Sequence, residues 1–373
     1  MTMRAQSWGN SVQKKPSVRS RTGSVARAAT VKDVAQAAGV SIATVSRVVN
    51  GTSPVSAETR QRILDAIGAL NYVPHSGARS MVTRRTDLIG MLLPDIHGEF
   101  FSEVVRGVDE AARKRGLHII VSNVSGNMEE DERVVSAMSG RVDGLLLMVP
   151  DTETAMIAQR LPRDIPVVLM NTPVEGRPNA LTIDNHAGAM TAMAHLARQG
   201  RERVAHIAGP EHNIDAMERL RGYRDGLEAH FSGAAPIVLP GDFSQSAGHE
   251  AGLRIAAMAQ RPDAIFAAND MMAIGCILAL AEAGVRVPED IAVIGFDDIP
   301  LAGLVRPALT TIRLQMAEFG RRALARLVES LDDPLADARP AEAMQPVLVV
   351  RDSCGAARAA KTGEGDSAGS NGT

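Results

Sequence analysis

Residues 30–51 read TVKDVAQAAGVSIATVSRVVNG. The spacing predicts two short helices meeting at Gly39. Val31, Val34, Ala35 and Ala38 fall on one face of the first, and Val45, Val48 and Val49 on one face of the second, with Val40 plugging the corner. A glycine between two small-residue helices permits the tight crossing of a helix-turn-helix. Ser41 is placed to cap the second helix. Its outward face carries Ile42, Ala43, Thr44, Ser46, Arg47 and Asn50. A mixed polar and apolar surface with one arginine suits the edges of base pairs in a major groove. The same spacing also fits an ordinary helical hairpin, so the surroundings decide.

Charge favours the first reading. The chain of 373 residues has a net charge of −3, but residues 1–86 alone carry +10 and the remainder −13. A basic end on an acidic body suits a nucleic-acid binder whose larger part does something else. Residues 1–29 read as a disordered basic arm. Residues 54–72 predict a third helix, started by Ser56 and striped by Ile63, Leu64, Ile67 and Leu70. The segment 30–74 is thus an all-α unit. VPHSGARSMVTRRT, 73–86, has Pro74, Gly77 and no strong period, and reads as a linker with a short helix.

From Leu88 the pattern changes. Apolar runs such as LIGMLLPD, GLLLMVP and PVVLMN alternate with amphipathic stretches. Near-continuous apolar strands separated by helices imply a parallel sheet covered on both faces. The pattern then restarts, with RVDGLLLMVP at 141–150 and RPDAIFAAND at 261–270 in matching places. The expected fold is therefore a helix-turn-helix headpiece followed by an α/β core of two doubly wound halves. One more helix (QMAEFGRRALARLVESL) and a last strand (QPVLVV) should end it, with a Gly/Ala/Ser-rich tail, 355–373, disordered. Ligands of such sheets bind beyond the strand C-termini. Asp95, Asn171, Asn269, Asp270 and Asp297 stand there, and Arg219 opens ERLRGY. Asp270 is read as a helix N-cap and Asp95 as structural. Two cysteines, no apolar leader and no apolar run near the ~20 residues needed to cross a bilayer lead us to expect a cytoplasmic protein. His186, His195, His206 and His249 lack metal-ligand spacing, and no catalytic constellation or G-x-G-x-x-G appears, so neither an enzyme nor a cofactor is expected.

The motifs VKDVAQAAGVS–TVSRVVNG, LNYVP–ARS, LLPDI–FF, RVDGLL, HIAGP–ERLRGY, FAANDMMAIG, VPEDIAVIGFDD and PALTTIR run in this order through the chain. Together they resemble the LacI/GalR family of bacterial transcriptional regulators over residues 30–354. The resemblance implies a DNA-binding headpiece at 30–74, a hinge helix within 75–86 and a periplasmic-binding-protein-like effector core at 87–354. The N-subdomain would take about 87–185 and 314–331, and the C-subdomain about 186–311 and 344–354. It also implies a homodimer on a palindromic double-stranded operator, with no membrane partner. A tetramer-forming leucine heptad has no counterpart in the tail.

By the same resemblance, Ser41 opens the reading face and Ile42 and Ala43 set sequence preference. Arg47 bonds guanine, and Thr44, Ser46 and Asn50 contact phosphates or flanking bases. Ala78 lets two hinge helices approach in the minor groove, and Met81 stands where the family has a wedging leucine. The ligand site would be Phe100, Phe101, Asn171, Asn213, Asp215, Arg219, Phe243, Asn269 and Asp297. Core packing is the other reading of each phenylalanine. One arginine, several amides and carboxylates, and Phe faces suit a sugar or related polyhydroxylated metabolite, with a nucleobase as the alternative. A periplasmic-type sugar receptor without a DNA role is the competing reading, and the headpiece argues against it.

Overall fold

The computed structural model describes residues 29–50, 54–72, 85–94, 98–125, 127–151, 157, 165–172, 174, 178–333 and 339–355. The expected arm, the hinge positions Ala78 and Met81, Asp95 and the tail beyond 355 lie outside these residues. The chain divides into two compact units, Met1–Arg84 and Arg85–Thr373. Among the described residues, no helix is long and apolar enough to cross a membrane.

The first unit has three helices, α1 (Val31–Ala38), α2 (Ile42–Asn50) and α3 (Ala57–Ala69). The Asp33 carboxylate accepts from the Thr30 amide and hydroxyl, each at 2.7 Å, and so fixes the start of α1. Gly39 ends the helix at φ 64°, a left-handed conformation that costs a side-chain-bearing residue energy. Val34, Ala35, Ala38, Val45, Val48, Ile63, Ala66 and Tyr72 form the core between the helices. The expected stripe on α3 needs correction. Ile63 is buried, but Leu64 is 45% and Leu70 36% exposed. Ala66, three residues after Ile63, takes the inward place, and Leu70 has passed the helix end.

The second unit holds two parallel sheets. The first is built from β1 (Leu88–Leu93), β2 (His118–Asn123), β3 (Gly144–Leu147), β4 (Val167–Met170), β5 (Ala180–Ile183) and β11 (Glu342–Met344), ordered β11-β5-β4-β3-β1-β2. The second has β6 (Val204–Ile207), β7 (Ile237–Leu239), β8 (Ala264–Ala267) and β9 (Ala292–Ile294), ordered β7-β6-β8-β9. Strands β3, β4, β6 and β8 are buried at every position, as helices on both faces require. Helices α4 (Glu99–Arg113) and α5 (Met128–Met138) belong to the first half. α6 (Asn185–Arg198), α7 (Ile214–His230), α8 (Gln245–Ala256) and α9 (Asp270–Glu282) belong to the second.

The chain then crosses back. β10 (Thr311–Arg313) leads into α10 (Met316–Asp332), which packs against α4 in the first half. The two helices meet so closely that a Cβ on Gly107 would lie 1.9 Å from the Ala317 carbonyl oxygen. β11 was not anticipated. It pairs in parallel with β5 and forms the edge of the first sheet, before the chain crosses again into β12 (Val347–Val349), antiparallel to β10. The N-subdomain therefore takes residues beyond the expected 331. Three crossings, near 184, 314 and 345, join the halves.

Candidate functional site

Two surfaces concern function, one in each unit. On α2, Ser41 caps the helix: its hydroxyl accepts from the Thr44 amide at 3.2 Å and shares a 2.9 Å hydrogen bond with the Thr44 hydroxyl. That pairing fixes the Thr44 hydroxyl at the start of the helix. Ile42 is 45% exposed, and Ala43 and Arg47 are also exposed. Thr44 and Ser46 are half-buried. Asn50 closes the helix, and its side chain lies outside the described part. The surface offers one fork of donors beside two apolar side chains, and such a set distinguishes guanine from thymine by a hydrogen bond against a methyl contact.

The second surface is a cavity of ≈360 Å³ where the C-terminal ends of the two sheets face each other. Phe100, Phe101, Asn213, Asp215, Arg219, Phe243, Asn269 and Asp297 all line it. Asn171 does not. It stands at φ 51° just after β4, its oxygen accepts from the Ile183 amide at 3.1 Å, and its amide donates to Asp215. It holds a lining residue of the opposite half from behind. A second link between the halves runs from the Ile214 amide to the Pro150 carbonyl at 2.7 Å.

Arg219 is the centre of the site. Its side chain is 3% exposed. Nε donates to Asn185 Oδ1 at 2.8 Å, Nη1 donates to the Ala268 carbonyl at 2.5 Å, and Nη1 lies 3.2 Å from Asp297 Oδ1. The guanidinium carbon sits 3.9 Å from the Phe296 ring centre and 5.9 Å from that of Phe243. A buried cation is tolerable only when paired and hydrogen-bonded. Asn185 completes the arrangement by donating to Asp215 at 2.9 Å.

Asp297 thus pairs with the guanidinium directly, and Asp215, bonded to Asn171 and Asn185, feels its charge. Burial pushes the Asp215 carboxyl up to about 6, with the Arg219 charge pulling the other way. Burial pushes Asp297 up to about 7, again against Arg219, and the neighbouring Asp215 adds to the rise. Both titrate near neutrality, so each can accept from a ligand hydroxyl when ionised or donate when protonated. Asn213 and Asn269 spend their side-chain oxygens capping α7 and α9, on the amides of Ala216 at 3.0 Å and Met272 at 2.9 Å. The Asn269 amide also donates to the Phe243 carbonyl at 2.9 Å, holding that residue at φ 70°. Phe100 and Phe101 stand edge to face at 4.9 Å on α4 and supply the apolar wall.

Asn269, not Asp270, is the cap of α9. Asp270 is fully buried and accepts from the Ile299 amide at 2.9 Å and the Thr311 hydroxyl at 2.5 Å, tying α9 to the segment after β9 and to β10. The reason is one residue of register: the side chain that faces the α9 amides belongs to the last extended residue. Sequence reasoning missed Asn185 and Phe296. Asn185 sits two residues past β5, a strand-end position like those that were chosen. Phe296 precedes Asp297 and carries no polar signal. Of the histidines, His186 and His249 pair with Asp225 and Glu282, and His206 is fully buried against Tyr223 and Phe266.

The sequence matches two family descriptions: "Bacterial regulatory proteins, lacI family" over residues 30–75 and "Periplasmic binding protein-like domain" over 193–354. It is 37% identical over 329 residues to the HTH-type transcriptional repressor PurR of Photobacterium profundum, covering 87% of this chain and 98% of that protein. It is also 37% identical over 330 residues to the ribose operon repressor of Escherichia coli, covering 87% and 99%. The fold matches the lac repressor dimer bound to operator and the anti-inducer ONPF, at a TM-score of 0.80 and 29% identity over 88% of this chain and 99% of that one. It matches a transcriptional regulator CelR–cellobiose complex at 0.65 and 32%, over 87% and 99%.

Proposed function

The chain belongs to the lacI family of bacterial regulatory proteins, and on that premise we propose how its own residues perform a repressor's two tasks. It is a DNA-binding transcriptional repressor, not an enzyme, with a ligand-binding core. Two copies place α2 in successive major grooves of a palindromic operator, nucleoid-associated when bound. Arg47 bonds guanine, Ile42 and Ala43 contact thymine methyls or leave room, and Thr44, Ser46 and Asn50 position the helix on phosphates. Ala78 and Met81 complete the contact at the operator centre.

The effector is a sugar or related polyhydroxylated metabolite in the cleft between the two halves. One observation carries this reading: a buried guanidinium, fixed on Phe296 and flanked by Asp297 and Asp215, faces a cavity between the sheet ends. Carboxylates accept from adjacent hydroxyls, Arg219 and Asn269 donate, and Phe100, Phe101 and Phe243 cover a ring face. The ribose operon repressor and CelR with cellobiose are relatives whose names point to sugars. The acceptor-rich floor favours hydroxyls, and a nucleobase stacked on the phenylalanines is the second reading.

Ligand binding acts through differential affinity for two arrangements of the halves. The Asn171–Asp215 bond and the Ile214–Pro150 bond join the halves, so they must persist in one arrangement and alter in the other. A thermal-unfolding screen of sugars and nucleobases tests the site, since a ligand at 100 times its Kd adds about 2.7 kcal/mol. The hit must then change operator affinity in a gel-shift assay. A ligand that stabilises the core without touching DNA binding would overturn the regulatory role. Stabilisation that survives in Asn269→Ser and Phe243→Ala would overturn the site.

A further inference from the structure

A second cavity, of ≈400 Å³, lies between the same two halves. Phe100 and Asp297 line it as well as the effector cleft, so they form a shared partition. Its other walls come from the start of α4, the start of α10, the segment after β9 and Arg351. The two sides differ in charge. On the C-subdomain side Arg313 and Arg351 both bond to Asp298, at 2.5 and 2.6 Å. Two guanidiniums share one carboxylate, which leaves one positive charge in surplus. Arg313 is half exposed and can be reached.

On the N-subdomain side Glu103 is held by Arg106 of its own helix, and Glu318 by Arg321 and Arg322 of its own. Glu99 differs. Its carboxylate accepts from the Leu301 amide of the opposite half at 3.2 Å and, among the described residues, pairs with no cation. The helix α10 also begins here without a side-chain cap, because Gln315 stands at φ 53°.

We propose that this second cavity binds a small zwitterion, with its carboxylate on Arg313 and Arg351 and its ammonium on Glu99. The carboxylate brings the guanidinium cluster to two against two, and the ammonium neutralises the one carboxylate left without a cation. The occupant bridges the halves independently of the cleft ligand and presses on the far faces of Phe100 and Asp297.

The test is calorimetric titration of the full chain with individual proteinogenic L-amino acids, backed by thermal unfolding. At least one should bind saturably and raise the unfolding midpoint. Its N-acetyl and carboxamide derivatives should each bind about tenfold more weakly or worse, as should the parent to Glu99→Gln and Arg313→Gln, from loss of one charge-assisted contact. Asn269→Ser, which keeps the α9 cap but removes the cleft amide, should bind unchanged. Three results would overturn the proposal: no amino acid binds saturably, the derivatives bind as well as the parent, or binding falls in Asn269→Ser and not in the two glutamine variants. The derivatives decide the matter even if a variant fails to fold.

Discussion

Replacing Arg219 with methionine should destabilise the core by an amount that depends on pH. The guanidinium makes hydrogen bonds to Asn185 and Ala268, an ion pair with Asp297 and a 3.9 Å stack on Phe296. Removing one member of a buried charged set costs roughly 3–5 kcal/mol, because its partners stay buried without compensation. Here those partners are carboxyls that can take up protons. Asp215 and Asp297 already stand at about 6 and about 7, and Arg219 is the group that holds both down. Without it both rise further. The folded state then binds protons that an unfolded aspartate, near ~3.9, has released. Stability falls with rising pH wherever the folded state binds more protons. The wild-type decline runs from about pH 4 to about pH 7, and in the variant it continues above that. The full loss should therefore appear at pH 8. At pH 5.5, with both carboxyls protonated, it should be smaller by roughly 2 kcal/mol, since each pKa unit is worth about 1.4 kcal/mol. Urea unfolding followed by far-ultraviolet circular dichroism at the two pH values measures this. Adding Asp215→Asn and Asp297→Asn should flatten the pH dependence. An equal loss at both pH values would refute the coupled-carboxyl account of this site.

Arg47→Ala should weaken operator binding by about 1–3 kcal/mol and leave core unfolding untouched; unchanged affinity in a gel shift would remove Arg47 from the reading face. Gly39→Ala should cost the headpiece about 1 kcal/mol, because the residue stands at φ 64°, and shift the helical transition of the first unit alone. Asn269→Ala should lose about 1 kcal/mol of core stability through the missing α9 cap, whereas Asn269→Ser should keep it, and both should lose effector affinity. Asp297→Asn should also weaken effector binding, and its stability should decline less than the wild type between pH 4 and 7, which parallel denaturation curves would reveal.

The headpiece was legible because its signals are local: Gly39, Ser41 and Ser56 announce helix ends within a few residues of themselves. The strands of both halves were legible because burial on two faces writes an unbroken apolar run. β11 was not, since Glu342 and Ala343 are exposed, only Met344 is buried, and pairing with the neighbouring β5 makes this short edge a strand. At the site, strand ends identified Asn269 and Asp297, and the family resemblance supplied the other expected lining positions. Strand ends could not show that Asn171 faces Asp215 instead of the cavity, because its left-handed backbone turns the side chain away. Nor could they supply Asn185, whose role exists only once Asp215 and Arg219 come within reach of one amide.

The strand β11 has a consequence for how the protein is made. The edge of the first sheet is supplied by residues 342–344, more than 150 residues after β5, the strand it pairs with. A growing chain that has already emitted all five earlier strands of that sheet still lacks its border. The ribosome must first deliver β6 to β10 of the other half and the helix α10. The earlier-synthesised half therefore waits, with an open strand edge, for its last piece, and such edges are templates for pairing with other chains. A stop codon between α10 and β11 would injure both halves at once: it would strip the border from the first sheet and remove β12, the partner of β10, from the other half. Neither half is a module that could be released by cutting the chain once.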